Sequence, residues 1–221
     1  MKLTIFAATG GIGRQLLDQA VTAGHDVTAV VRHPARLTRD VPAVTADLAA
    51  PDPAALRAAV EGADAVLSGL GPRSRADAGI SAAGTRAVVE AMQATGVRRI
   101  VVVSAAPVSV TPSPGRPNPP RRDPGEGPVL RYVGTPLVRL ALRRHYTDLA
   151  VMEDVLRDSG LEWTAVRPPR LTDRPLTGAY RTAIGQNLPH GLTISRADVA
   201  HFMLRALEDP GTVRQAVGIA D

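Results

Sequence analysis

The run Ala7-Ala8-Thr9-Gly10-Gly11-Ile12-Gly13-Arg14 has the residue types and spacing that let a backbone hold a pyrophosphate. Gly10 permits a sharp turn close to an anion, and Gly13 permits a helix start to pack tightly on a strand. The unpaired N–H groups and the dipole at that helix start attract negative charge. Thr9, Gly10, Gly11, Ile12, Gly13 and Arg14 are therefore candidate cofactor ligands. Ala7 stands where the full pattern has a first glycine. A plain tight turn could carry the same letters, so position decides: the run follows the apolar strand Leu3-Thr4-Ile5-Phe6 and opens helical sequence.

Further candidates lie at the ends of later apolar runs. Arg32 closes Val27 to Val31, where an acid would bind the ribose hydroxyls of NAD and a base suits a ribose phosphate. With Arg14 nearby and no acid at that strand end, NADP(H) is the expected cofactor, since the planar guanidinium fork matches phosphate oxygens. Asp47, followed by Leu48, is placed to accept from an adenine amino group or simply to hold a turn. Ser68-Gly69-Leu70-Gly71 offers a small-residue passage along the nicotinamide half, with Gly69, Leu70 and Gly71 as its candidates.

Several chemistries are excluded or disfavoured. The chain has no cysteine, which removes disulfides, thiolate nucleophiles and thiolate metal sites together. His25, His33, His145, His190 and His201 lack ligand spacing, so no metal is expected. No Gly-x-Ser-x-Gly elbow is present. The net charge of +5 comes almost wholly from scattered arginines without an aromatic platform, which argues against nucleic acid. There is no long apolar span and no charged-then-apolar leader, so no membrane partner and a cytoplasmic location are expected.

The elements that must position these residues are legible from glycine punctuation. Gly24, Gly62, Gly96 and Gly160 each end helix-like sequence just before an apolar run. Glycine takes the left-handed conformation that closes a helix, and continuous apolar runs are buried parallel strands. Strands are expected near 2–7, 26–32, 64–69, 98–104, 161–167 and 215–219, with a short one ending at Asp47. Helices are expected near 12–23, from Pro53, and near 80–95, 135–158 and 196–208, with an extended piece near 176–184. This order predicts an α/β fold: one Rossmann-type domain spanning 1–221, a doubly wound parallel sheet with helices on both faces. The ligand crevice should lie at the carboxyl ends of the strands.

TGGIGR, Val31-Arg32, Val101-Val102-Val103-Ser104 and the stretch from Ser159 to Pro169 together resemble the atypical short-chain dehydrogenases of the NAD(P)H-binding, NmrA-like type. Within that group the likeness is to biliverdin IXβ reductases, also called flavin reductases. It is most specific in Arg167-Pro168-Pro169, Pro175 to Tyr180 and Ile194 to Arg205, and it spans nearly the whole chain except about 107–145. The resemblance implies an NADPH-dependent reductase with an open site for a small-molecule acceptor, a flavin or linear tetrapyrrole. It also implies that Ser104 lies beside the nicotinamide, as the catalytic candidate, and that the backbone around Pro168 and Pro169 holds the carboxamide. Arg170 stands where the flavin reductases have a histidine, which changes any substrate contact there.

The usual Tyr-x-x-x-Lys proton relay is absent, since Tyr146 is followed four residues later by Ala150 and Lys2 is the only lysine. A flavin, tetrapyrrole or quinone needs less, because its conjugated ring system accepts hydride and can take a proton from solvent. His145 and Tyr146 are the nearest candidates for a general acid, and Tyr146 for a substrate contact. A non-catalytic NADP(H) sensor reporting to a protein partner, as in NmrA-like relatives, and a secondary-metabolite tailoring reductase are the alternatives. The Pro-, Gly- and Arg-rich insertion at about 107–131 cannot bury enough apolar surface to fold alone. It is either a lid whose Arg116, Arg121 and Arg122 draw in an anionic acceptor, or a disordered surface insertion.

Overall fold

The computed structural model describes residues 1–71, 77–125 and 142–221. Strand β1 (Lys2–Phe6) leads into α1 (Gly11–Thr22), then β2 (Asp26–Val31), β3 (Ala43–Thr45), α2 (Pro53–Val60), β4 (Ala65–Ser68), α3 (Ile80–Thr95) and β5 (Arg99–Val103). After the described part of the insertion come α4 (Arg143–Asp158), β6 (Glu162–Arg167), β7 (Arg170–Thr172), β8 (Arg181–Ile184), β9 (Thr193–Ser195), α5 (Arg196–Arg205) and β10 (Gln215–Ala220).

The main sheet runs β3-β2-β1-β4-β5-β6-β10-β8. Every pairing in it is parallel except that of β8 with β10. The chain thus has the Rossmann-like α/β fold expected of alternating strands and helices. Chain order reverses between β2-β1 and β4, which opens a crevice at the carboxyl ends of β1 and β4. β5 is buried at every position, as a strand covered on both faces requires. Leu16 and Leu17 of α1 pack with Val199 and Met203 of α5 on one face. Leu56 of α2, Met92 of α3 and Met152 and Leu156 of α4 pack on the other.

Gly24, Gly62, Gly96 and Gly160 all adopt φ between +70° and +78°, the left-handed geometry from which their helices were delimited. Two features were not expected. β8 joins the sheet edge antiparallel, and β7 and β9 form a separate parallel pair across the carboxyl end. Both are three- or four-residue pieces in polar sequence, too short to show a period.

The described part of the insertion, 107–125, is docked. A 3-10 turn spans Ala106–Val110, and the backbones of Ser113 and Arg116 exchange hydrogen bonds at 3.1 and 3.0 Å. Asp154 of α4 accepts from Ser113 Oγ at 3.0 Å and from Gly115 N at 2.9 Å. Buried Asp123 accepts from Gly125 N and Asn187 N, both at 2.8 Å. One carboxylate reaching in from α4 and one of the insertion's own reaching out to Asn187 thus do what the apolar content of this stretch cannot. That docking corrects the disordered-insertion expectation for 107–125. The rest of the expected insertion, and residues 135–141 of the expected helix, lie outside the described residues. Among the described residues no helix is long and apolar enough to cross a membrane.

Candidate functional site

The turn after β1 is built by one close approach. A Cβ on Gly13 would lie 2.1 Å from the carbonyl oxygen of Ala7, so no other residue fits there without moving the turn. Gly10 N donates to Ala7 O at 2.8 Å, closing the turn. Ala7 itself has φ +57°, the left-handed region that glycine enters without strain. The missing first glycine therefore leaves the conformation unchanged and the residue strained.

Gly10 is the N-cap of α1, which has no side-chain cap and no acid in its first turn. Its leading N–H groups point toward the crevice as donors. Gly69 closes the other side, since a Cβ there would lie 2.9 Å from Gly13 N.

Two hollows meet over this turn. The first is lined by Thr9, Arg32, Asp47, Leu48 and Asp77 among others. The second is lined by Gly10, Gly11, Ile12, Ser104, His145 and Arg196, with Leu149 and Leu171. Ala7, Leu70 and Gly71 line both, so the hollows form one cleft from the end of β2 to the end of β5. Asp47 accepts from Ala49 N at 3.1 Å and so also caps its own turn.

The cleft brings together Thr9, Gly10, Gly11, Ile12, Arg32, Asp47, Leu48, Gly69, Leu70, Gly71 and Ser104, with Gly13 packed beneath. Arg14 is exposed on α1 and lines neither hollow. Pro168 is buried, and its carbonyl accepts from Ala106 N at 2.9 Å; Pro169 is half-buried beside it. Arg170 is exposed on β7, and Tyr146 packs against the core formed with α3 and α4. None of these four lines either hollow.

Two further residues reach the cleft. Arg196, at the first position of α5, lies over α1: a Cβ on Gly11 would fall 2.7 Å from its Nε. Its Nη1 donates to Asp173 at 2.6 Å. The basic residue opening an apolar helix was its only sequence signal. His145 lies in the first turn of α4, where burial holds its imidazole below the ordinary value against an opposing pull from Asp148. It is therefore neutral near pH 7.

Behind Ser104 sits a buried ion pair. Ser104 Oγ donates to Glu153 Oε1 at 2.8 Å. Arg167 grips the same carboxylate through Nε at 2.8 Å and Nη2 at 2.5 Å. Glu153 is 0% and Arg167 4% exposed. An acid on the apolar face of α4 between Met152 and Leu156 is the one sign of this in the sequence.

The donor set fits a dinucleotide: uncapped helix N–H groups and the Arg196 guanidinium for a diphosphate, Arg32 at the adenosine end, and a backbone cradle that a single Cβ would fill. At 27% identity over 230 residues, the chain is similar along its full length to an uncharacterized sugar epimerase of Bacillus subtilis (strain 168), of which it covers 94%. Its fold matches an oxidoreductase of Lactococcus lactis with a TM-score of 0.81 at 18% identity, covering all of this chain and 91% of that one. It also matches an anaerobillin reductase of Escherichia coli O157:H7, with a TM-score of 0.76 at 21% identity over 100% and 97% of the two chains. The family model described as NAD(P)H-binding matches residues 7–210, with the strand, glycine turn and cleft described above inside that span, and the chain belongs to this NAD(P)H-binding family.

Proposed function

We propose that the chain is an NADPH-dependent reductase that delivers hydride to a conjugated acceptor, a flavin, linear tetrapyrrole or quinone, without a Tyr-Lys relay. The observation that carries this reading is the single cleft running from Arg32 to Ser104 and His145, with no lysine in it. Lys2 lies at the amino end of β1, the opposite end of the sheet from the cleft.

The turn from Ala7 to Gly13 and Arg196 would hold the diphosphate and Arg32 would meet the ribose phosphate, as an arginine at that strand end favours. A bound reduced nicotinamide cofactor would supply hydride, two electrons with one proton. Leu149, Leu171, Leu70 and Val103 give the cleft aliphatic walls that exclude water and align a flat acceptor. The second proton required by the reduced product comes from solvent, since neutral His145 is a poor acid and no lysine primes Tyr146. The similarity in fold to the anaerobillin reductase agrees with a tetrapyrrole-sized acceptor.

The test is NADPH oxidation followed by absorbance with FMN, riboflavin, biliverdin and simple quinones, with NADH in parallel. Turnover of a conjugated acceptor with NADPH preferred is the expected result. Tight NADPH binding with no turnover of any of them would instead favour an NADP(H)-sensing protein.

A further inference from the structure

Ser104 has one proton to give, and the structure shows where it goes. Its Oγ lies 2.8 Å from Glu153 Oε1, and the same carboxylate accepts from Nε and Nη2 of Arg167 and from Nη2 of Arg157 at 3.3 Å. A carboxylate held by arginine donors at both oxygens is an acceptor only, so the hydroxyl must be the donor in its contact with Glu153. The serine is 6% exposed and its partners are more deeply buried, so rotating the hydroxyl away would leave a buried carboxylate short of a partner. What Ser104 offers the cleft is lone pairs.

Resting on the reductase reading, we propose that the Glu153–Arg167 pair fixes Ser104 as a hydrogen-bond acceptor and that the hydride acceptor presents a ring N–H to it. The ligand class this selects is a planar heterocycle with a lactam or imide N–H, such as the pyrimidine edge of a flavin. Around the serine the cleft supplies aliphatic side chains, Val103, Leu149 and Leu171, which suit a flat ring but discriminate little between rings, with His145 and Arg196 also on its lining. Selectivity falls to the one polar atom whose direction is imposed. A quinone edge, carrying carbonyl oxygens alone, would set lone pairs against lone pairs. Glu153 and Arg167 act through Ser104 and are positioning residues.

The ligand can be altered instead of the protein. Riboflavin and 3-methylriboflavin differ at the single N–H, and both can be assayed with NADPH and titrated by fluorescence against the NADP-loaded protein. The expected result is a loss of about ten-fold in kcat/KM on methylation, the worth of one good hydrogen bond. In Ser104→Ala the two flavins should converge, with NADPH affinity unchanged. Equal handling of the two by the unaltered protein would overturn the inference. So would a weakening of NADPH binding in Ser104→Ala, because the donor facing the serine would then be the cofactor's own amide. Neither binding nor turnover of riboflavin would overturn it too, while turnover of a quinone would leave the reductase reading standing.

Discussion

Arg196 and Arg32 sit at different points along one cleft, and the proposed function gives them different tasks. Arg196 lies over the uncapped start of α1 and is held there by Asp173, where on the proposed reading it would meet the diphosphate common to NADH and NADPH. Arg32 is exposed at the end of β2, where only NADPH carries a phosphate. Arg196→Ala should raise the Kd for both cofactors about ten-fold while leaving their ratio alone. Arg32→Ala should lower the preference for NADPH over NADH by a similar factor, and parallel fluorescence titrations separate the two effects. At the turn itself Ala7→Gly should raise stability by about 1 kcal/mol or less, because release of left-handed strain is partly offset by the entropy of a freer unfolded chain. A urea midpoint that falls would refute that account of Ala7.

Helix α4 is the element on which the carboxyl end of the sheet depends. Its Asp148 accepts from Ser81 N and Ala82 N at 3.0 Å each, capping α3 in place of Gly79, which has no side chain. One turn on, Glu153 fixes Ser104 and Arg167, and Asp154 docks the insertion. Three acids of one helix, pointing in different directions around its axis, thus tie down a neighbouring helix, a strand end and a loop. Asp148→Ala should cost about 2 kcal/mol, since it strips two buried N–H groups of their partner; a thermal melt within error of the unaltered protein would count against it. Asp154→Ala should free Ser113 to Arg116, read as faster proteolysis in that stretch. The helix was legible from its spacing. Its partners were not, because a capping contact 67 residues away in sequence leaves no local trace.

For the molecule as a whole, two groups link stability to pH in the same direction. Burial pushes the Asp198 carboxyl up, but hydrogen bonds from Ser195, Thr177 and Gly178 outweigh it and hold it below the ordinary carboxylate value. The stability it contributes is fully present above the unfolded value near ~4 and is lost as pH falls through the folded one. His145 is depressed by burial, so below about pH 6.5 the unfolded imidazole takes up a proton before the folded one does, and stability falls. Denaturation midpoints should therefore decline in two steps on acidification, with Asp198→Asn removing the lower step and His145→Gln the upper. A profile flat from pH 7 to 4 would show that His145 is not coupled to folding, and one flat below ~4 that Asp198 is not.

The sequence by itself determined the alternation of strands and helices, the glycine turn and the end of β2. Each is a local matter: periodicity, a positive φ or a Cβ with no room writes itself into a few adjacent residues. The resemblance to atypical short-chain dehydrogenases marked Ser104 as a candidate, though not the direction in which that hydroxyl points. Arg14 and Arg170 carried the right charge in the right stretch, yet in the fold both face solvent outside the cleft. Only the tertiary structure decided that Glu153 and Arg167 close on Ser104, that Arg196 covers Gly11 and that carboxylates hold the insertion. Those contacts join residues far apart in the chain, and buried charges find partners only once helix register and sheet order have been set by packing.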